Sequence, residues 1–213
     1  TMSSAVEEGV IDIFNDHFYD AGKVNVDGSV LKCWKSGGHG DQTFLQVLQN
    51  SCNPGFVKLG QLLGKKKLFS YIDKFGFGNK TGIDLSGEAT GILFPMNKVG
   101  NVELATTAFG QGISVTPIQQ VAAVSAVVNG GVLYKPYIVK GISTNTNSSV
   151  KEFSKKKVRR VISEKTSEIM RLALESVVAY GGRKSAYIEG YRVGGKTGTA
   201  QKVGSDGRYM YGN

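Results

Sequence analysis

Apolar residues recur at helical spacing from Thr43 to Gln49 and again at Phe56, Leu59, Leu62 and Leu63, the period of helices with one buried face. Pro54 suits the first turn of the second helix, where a missing N–H leaves no bond unmade. A third amphipathic stretch, Lys66 to Phe75, stops at Gly76, a residue that readily takes the left-handed conformation closing a helix. The strongest apolar helix runs from Pro117 to Val128, capped by Thr116 and closed by Asn129-Gly130-Gly131. Ser163 caps a last helix reaching Tyr180, with Ile169, Leu172, Leu174 and Val177 on it and Gly181-Gly182 at its end. Strand patterns are scarcer. Val132 to Val139 alternates, and Tyr191 to Thr199 with Arg208 to Tyr211 reads as an antiparallel hairpin. Residues 81–101 are Gly-rich and irregular, the pattern of a long loop near a cleft, and 148–157 reads as a polar, exposed connection. Helices first and strands last, with no βαβ alternation and no internal repeat, predict an α+β fold with an antiparallel sheet flanked by helices.

Composition narrows this picture modestly. A chain of 213 residues with 40% apolar content supports one domain with its own core. No run approaches the roughly 18 apolar residues of a membrane span, and no signal-peptide pattern is present. The net charge of +9 serves solubility or draws an anionic partner such as membrane headgroups or wall polymers. Nucleic acid is a poor partner. The densest basic run, Lys155-Lys156-Lys157-Val158-Arg159-Arg160, carries no interleaved aromatics and no reader motif.

The candidate chemistry sits in two places. Lys196-Thr197-Gly198-Thr199, led in by Val193-Gly194-Gly195, suits a sheet edge lining a cleft. Its glycines let a substrate backbone lie close, while the lysine and the threonine hydroxyls can hold a carboxylate. Far upstream, Ser51-Cys52-Asn53 lies between two helical stretches. A K-T-G segment downstream of an S-x-N turn is two-thirds of the signature of the penicillin-recognising serine acyltransferases.

Further landmarks occur in order: residues 1–9, Gly38-His39-Gly40, Gln49 to Pro54, Phe109 to Pro117 and Gly194 to Ala200. With them, nearly the whole chain resembles the transpeptidase domain of class B penicillin-binding proteins of the sporulation and cell-division type. The resemblance implies the fold shared by penicillin-binding proteins and serine β-lactamases, with residues 1–213 an internal portion of one such domain. The third motif, Ser-x-x-Lys, has three matches here, beginning at Ser29, Ser148 and Ser154. None opens a helix at the family's distance before Ser51, so the nucleophile is expected upstream of Thr1, and further sheet and a helix are expected beyond Asn213.

By the same resemblance the activity is that of a peptidoglycan D,D-transpeptidase that cross-links stem peptides and is acylated by β-lactams. It needs no cofactor for catalysis. The implied location is the extracytoplasmic face of the cell membrane, through an N-terminal anchor, beside glycosyltransferase or divisome-type partners. Ser51 would lie in the proton path to the leaving amine. Asn53 would contact the substrate amide, and Lys196 the substrate carboxylate. Thr197, Gly198 and Thr199 would bind substrate, the Thr199 N–H forming half of an oxyanion hole. Read as local structure alone, Ser51 is the N-cap of the helix that follows. Two other functions compete: a β-lactam sensor or hydrolase on the same fold, for which Glu88 is the one loose candidate to activate water, and a non-catalytic binding module.

Cys33 and Cys52 bracket His39 and Asp41. Cys, His, Asp and Cys make a set that zinc accepts tetrahedrally, and four protein ligands would make the site structural. A disulfide, natural outside the cell, and two unrelated buried thiols are the alternatives. His17 reads as a surface loop residue.

Overall fold

The computed structural model describes residues 1–145, 149–181 and 186–200. Its helices start and stop on local chemistry. Helix α1 (Met2–Glu7) buries Met2, Ser3, Ser4 and Ala5. Helix α2 (Phe44–Gln49) opens on a capping box. The Thr43 hydroxyl accepts from the Gln46 N–H while the Gln46 side chain accepts from the Thr43 N–H, satisfying two orphan donors together. Helix α3 (Asn53–Lys74) is two helices joined at Gly64, whose φ of 70° suits glycine. That break explains why the sequence shows two apolar stretches there. Helix α5 (Pro117–Val128) begins with the expected Thr116 cap and a proline in its first turn. Helix α6 (Glu164–Tyr180) begins at Ser163. There Glu7 Oε2 accepts from the Ser163 N–H at 2.9 Å and its hydroxyl at 2.8 Å, placing a carboxylate at the positive end of the helix.

Helix α4 (Asn101–Ala108) lies within what the sequence shows as the end of an irregular loop and its sequel. It is too short to display a period, and it exists through packing: Leu104, Ala105 and Ala108 are buried. A Cβ at Gly60 would stand 2.6 Å from that of Ala108, so glycine is what lets α3 and α4 approach.

Among the described residues eight short strands form four antiparallel pairs. Strand β1 (His17–Asp20) pairs with β4 (Gly40–Thr43), and β2 (Lys23–Val26) pairs with β3 (Ser29–Lys32). Strand β5 (Val132–Lys135) pairs with β8 (Lys156–Arg160), and β6 (Gly141–Ser143) with β7 (Ser149–Glu152). The α+β class and the antiparallel pairing are as expected, but three details differ. Strand β5 stops before Pro136, which has no N–H for a ladder; beyond it Asp84 accepts from the N–H groups of Ile138 and Val139 at 2.9 and 2.8 Å. Residues 149–152 and 156–160 are strands rather than an open connection, because β8 supplies the partner that β5 needs. Residues 191–200 carry no ladder to another described strand, and 208–211 lie outside the described residues.

The main core joins α1, α2, α3, α4 and α6 through Ala5, Val47, Leu59, Leu68, Leu104 and Ala173. A second core joins the end of α3 to α5 and β5 through Phe75, Ala126 and Leu133. The long loop after α3 is pinned from below. Buried Gln119 donates to the carbonyls of Asn79 and Thr90 at 2.8 and 2.9 Å. No helix among the described residues is long and apolar enough to cross a membrane.

Candidate active site

Ser51 sits on the turn that ends α2, in a conformation that serine seldom takes: its φ is 52°. The Cys52 N–H bonds the Val47 carbonyl at 3.0 Å and the Ser51 N–H bonds the Leu48 carbonyl at 3.2 Å. These are the two bonds of a Schellman closure, with Ser51 in the left-handed position. The N-cap of α3 is therefore Cys52, not Ser51, and Cys52 makes no side-chain cap bond. The serine hydroxyl is left free of any capping duty.

Three contacts hold this turn. The Trp34 indole N–H donates to the Asn50 carbonyl at 2.7 Å. Asn53 Nδ2 donates to the Lys32 carbonyl at 3.2 Å. Cys52 itself is fully buried against α2.

The lysine arrives from the far end of the chain. Helix α6 packs on α2, and the segment carrying Lys196 is laid along α6. The Gly195 N–H bonds the Leu174 carbonyl at 3.1 Å. Arg192 grips Glu175 with three contacts of 2.6–3.0 Å. Any Cβ at Gly194 would crowd the α6 backbone, at 3.3 Å. The result is that Lys196 Nζ donates to Ser51 Oγ at 2.8 Å, across 145 residues of sequence.

Its other contacts are the Thr197 carbonyl at 3.0 Å and Thr197 Oγ1 at 3.3 Å. The side chain is exposed as a whole, yet its ammonium is crowded by the turn, and this desolvation pulls it below the ordinary lysine value of 10.5. No atom of the described residues lies within 4 Å of where a Cβ at Gly198 would stand, and Thr199 is exposed. A substrate backbone has room to lie there. Ser51, Asn53, Lys196 and Thr197 thus share one site.

Behind the turn lies a buried polar cluster. Asp20, Cys33, His39 and Cys52 each offer one ligand atom, all within 4.8 Å of one another. Asp20 Oδ2 accepts from His39 Nδ1 at 2.9 Å and from Cys52 Sγ at 3.3 Å, and Cys33 Sγ lies 3.3 Å from His39 Nδ1. Burial by itself would raise the Asp20 carboxyl, but hydrogen bonds from Cys33, His39, Gly22 and Cys52 hold it at about 2. Burial pushes the Cys33 thiol up and the Cys52 thiol to about 12. Both cysteines are free.

The sequence-based set named Asp41, and here the structure corrects it. In the β1–β4 ladder Asp41 lies opposite Tyr19 on the exposed face, whereas Asp20, opposite Gly40, is buried. Alternation along a strand turns neighbours to opposite sides. Asp41 instead pairs with His17 at 2.8 Å on the surface, so His17 belongs to a strand rather than a loop. Asp20 was missed because Asp20-Ala21-Gly22 reads as a turn, which it also is: Oδ1 accepts from the Gly22 N–H at 2.8 Å. Trp34 carries no sequence signal for its contact with Asn50. Glu88 is occupied, accepting from the Thr81 N–H and hydroxyl and the Gly82 N–H at 2.5–2.9 Å.

A family model described as penicillin binding protein transpeptidase domain matches residues 1–213. The chain is 64% identical to Stage V sporulation protein D of Bacillus subtilis (strain 168), covering 100% of the chain and 33% of that relative. It is 34% identical to Peptidoglycan D,D-transpeptidase FtsI of Escherichia coli (strain K12), covering 81% of the chain and 28% of the relative. A crystal structure of penicillin binding protein 3 from Mycobacterium tuberculosis complexed with aztreonam superposes with a TM-score of 0.88 at 29% identity, over 98% of this chain and 48% of that one. The chain thus spans about a third of the length of these curated relatives.

Proposed function

This chain belongs to the penicillin-binding protein transpeptidase family, and from that premise we propose that it forms part of a serine D,D-transpeptidase that cross-links peptidoglycan stem peptides and is acylated by β-lactams. The observation that carries the reading is the 2.8 Å contact between Lys196 Nζ and Ser51 Oγ. A fold that brings together a lysine and a serine 145 residues apart in sequence, beside exposed backbone, provides a proton path and a carboxylate anchor in one place.

In this reading the nucleophile and its base are the family's Ser-x-x-Lys pair, which none of the matches at Ser29, Ser148 and Ser154 is placed to supply. Ser51 relays the proton toward the leaving amine. Lys196 holds the substrate carboxylate and, by like-charge repulsion, favours the neutral form of the catalytic lysine. Asn53 presents its amide to the substrate, and the exposed main chain at Thr199 supplies one donor of the oxyanion hole. The occupation of Glu88 leaves the hydrolase alternative without its candidate base. The test is exposure of the full-length protein to a fluorescent penicillin: a stable covalent adduct is expected, and no adduct at all overturns the proposal. Rapid turnover of a chromogenic cephalosporin would transfer the reading to a hydrolase.

The same reading puts the protein at the extracytoplasmic face of the membrane, anchored through a segment outside these residues, with glycosyltransferase or divisome-type partners. The name of the Bacillus relative supports service in sporulation.

We further propose that Asp20, Cys33, His39 and Cys52 hold a structural zinc ion. Contacts of 2.9–3.3 Å approach the edges, about 3.3–3.8 Å, of a tetrahedron built on ordinary zinc–nitrogen, zinc–oxygen and zinc–sulfur bonds. Nδ1 is the His39 nitrogen that faces the cluster, 2.9 Å from Asp20 and 3.3 Å from Cys33, while Nε2 is buried with no partner among the described residues.

A further inference from the structure

We propose that a recess beside the Ser51 turn is a subsite for a carboxylate carried on a side arm of the peptide substrate. The inference rests on the acyl-transfer reading of Ser51 and Lys196. The recess has a volume of about 350 Å³ and is walled by the β2–β3 hairpin and the loop that follows it. Lys23, Lys32, Lys35 and Trp34 line it, and no acidic residue does.

The lysines are placed against their own interest. Lys23 and Lys32 stand directly opposite each other across the β2–β3 pair, where like charges are destabilising. Among the described residues neither they nor Lys35 forms an ion pair. A concave surface with three such charges concentrates positive potential at its centre. An anion seated there would relieve the repulsion that the hairpin carries.

Trp34 gives the recess a shape and a link to the chemistry. The residue is 67% exposed, a large apolar surface to leave in water. Yet the ring is fixed at both ends, by the hydrogen bond to Asn50 at 2.7 Å and by an edge-on contact with His39 at 5.4 Å. A fixed, exposed aromatic beside cationic side chains suits a ligand with an apolar stem and an anionic head. Lys32 touches the reactive turn directly, its carbonyl accepting from Asn53 at 3.2 Å. Whatever occupies the recess therefore lies one residue's reach from the groups that handle the scissile amide. Lys196 is the anchor for the terminal carboxylate, so the recess reads a second, internal one.

The experiment uses the full-length protein and two penicillins identical except that one acylamino side arm carries a free carboxylate and the other its methyl ester. The second-order acylation rate of each is measured in the unsubstituted protein and in a Lys23→Gln, Lys32→Gln, Lys35→Gln triple variant. The unsubstituted protein is expected to prefer the carboxylate. The triple variant is expected to lose about tenfold of that preference, and added salt to erode it in the unsubstituted protein. The ester provides the internal reference for folding and for the acyl-transfer machinery. An equal ratio in both proteins, or no preference in the unsubstituted one, overturns the subsite. Absence of acylation by either penicillin overturns instead the acyl-transfer reading on which it rests.

Discussion

Helices α2 and α3 end in the same backbone closure and fill its left-handed position differently. In α3 the position is Gly76, at φ 89°, with the Phe77 and Gly76 N–H groups bonding Ile72 and Asp73 at 3.1 and 2.8 Å. In α2 it is Ser51, at φ 52°. Placing a side chain there costs about 1–2 kcal/mol, and the hydroxyl that the cost retains is the one that Lys196 contacts. Ser51→Gly should therefore raise stability by about 0.5–1 kcal/mol in denaturant unfolding while cutting penicillin acylation by roughly two to four orders of magnitude. Ser51→Ala should lose the acylation without the gain in stability. Normal acylation in Ser51→Gly would remove the hydroxyl from the proposed mechanism. Lys196 adds a pH dependence. Its pKa is lowered, so the ammonium is present below that value and lost as pH rises through it. The alkaline limb of acylation should fall below the ordinary lysine range, and Lys196→Arg should abolish the limb in a pH–rate profile. Both residues were legible in the sequence, because motif chemistry survives without knowledge of the fold. The strain at Ser51 was not, since residue type reports a preferred conformation and not the one imposed.

At the scale of elements, helices were read well where a cap and a period coincide, as at Thr116–Val128 and Ser163–Tyr180. Strands were read poorly. With three to five residues apiece and polar sequences such as Lys-Val-Asn-Val and Gly-Asp-Gln-Thr, they hold through their partners rather than through their own alternation. The segment bearing Lys196 shows the same dependence. It lies along α6 through Arg192, Glu175 and the Gly195–Leu174 bond. Arg192→Ala should cut acylation about tenfold by loosening Lys196, with the melting temperature little changed because the ion pair is exposed; Arg192→Lys should recover part of the loss. Equal acylation in Arg192→Ala would show that the Gly195–Leu174 bond holds the segment alone. Strand β8 offers the contrast. Lys156 and Lys157 are exposed and paired to β5, away from every group placed at the site. Replacing Lys155, Lys156 and Lys157 with Gln should leave the acylation rate unchanged, and a loss there would show that β8 borders the cleft.

At the scale of the molecule, the cluster behind Ser51 adds polar contacts among four segments that meet at the edge of the main core. Asp20 ends β1, Cys33 follows β3, His39 precedes β4 and Cys52 caps α3. The sequence named three of these four, because residue types that suit a metal are visible in one dimension while the face of a strand is not. If zinc occupies the cluster, its binding free energy is folding free energy, since an unfolded chain has no assembled site. Chelation should then lower the melting temperature by several degrees, loosen the Ser51–Asn53 turn and slow acylation, and zinc should restore all three. Substitution separates the two candidate carboxylates. Asp20→Asn should abolish zinc retention, whereas Asp41→Asn should leave it intact and cost only the exposed contact with His17. A disulfide between Cys33 and Cys52 would answer to reductant and ignore chelator. Elemental analysis of protein purified without chelator, with thiols titrated under denaturing conditions, decides among the alternatives. About one zinc per chain with both thiols free supports the metal site; no metal and no thiols replaces it with a disulfide. No metal with two thiols leaves Asp20, His39 and both cysteines as a hydrogen-bonded core whose only service to the active site is to hold Cys52, and with it Ser51, in place.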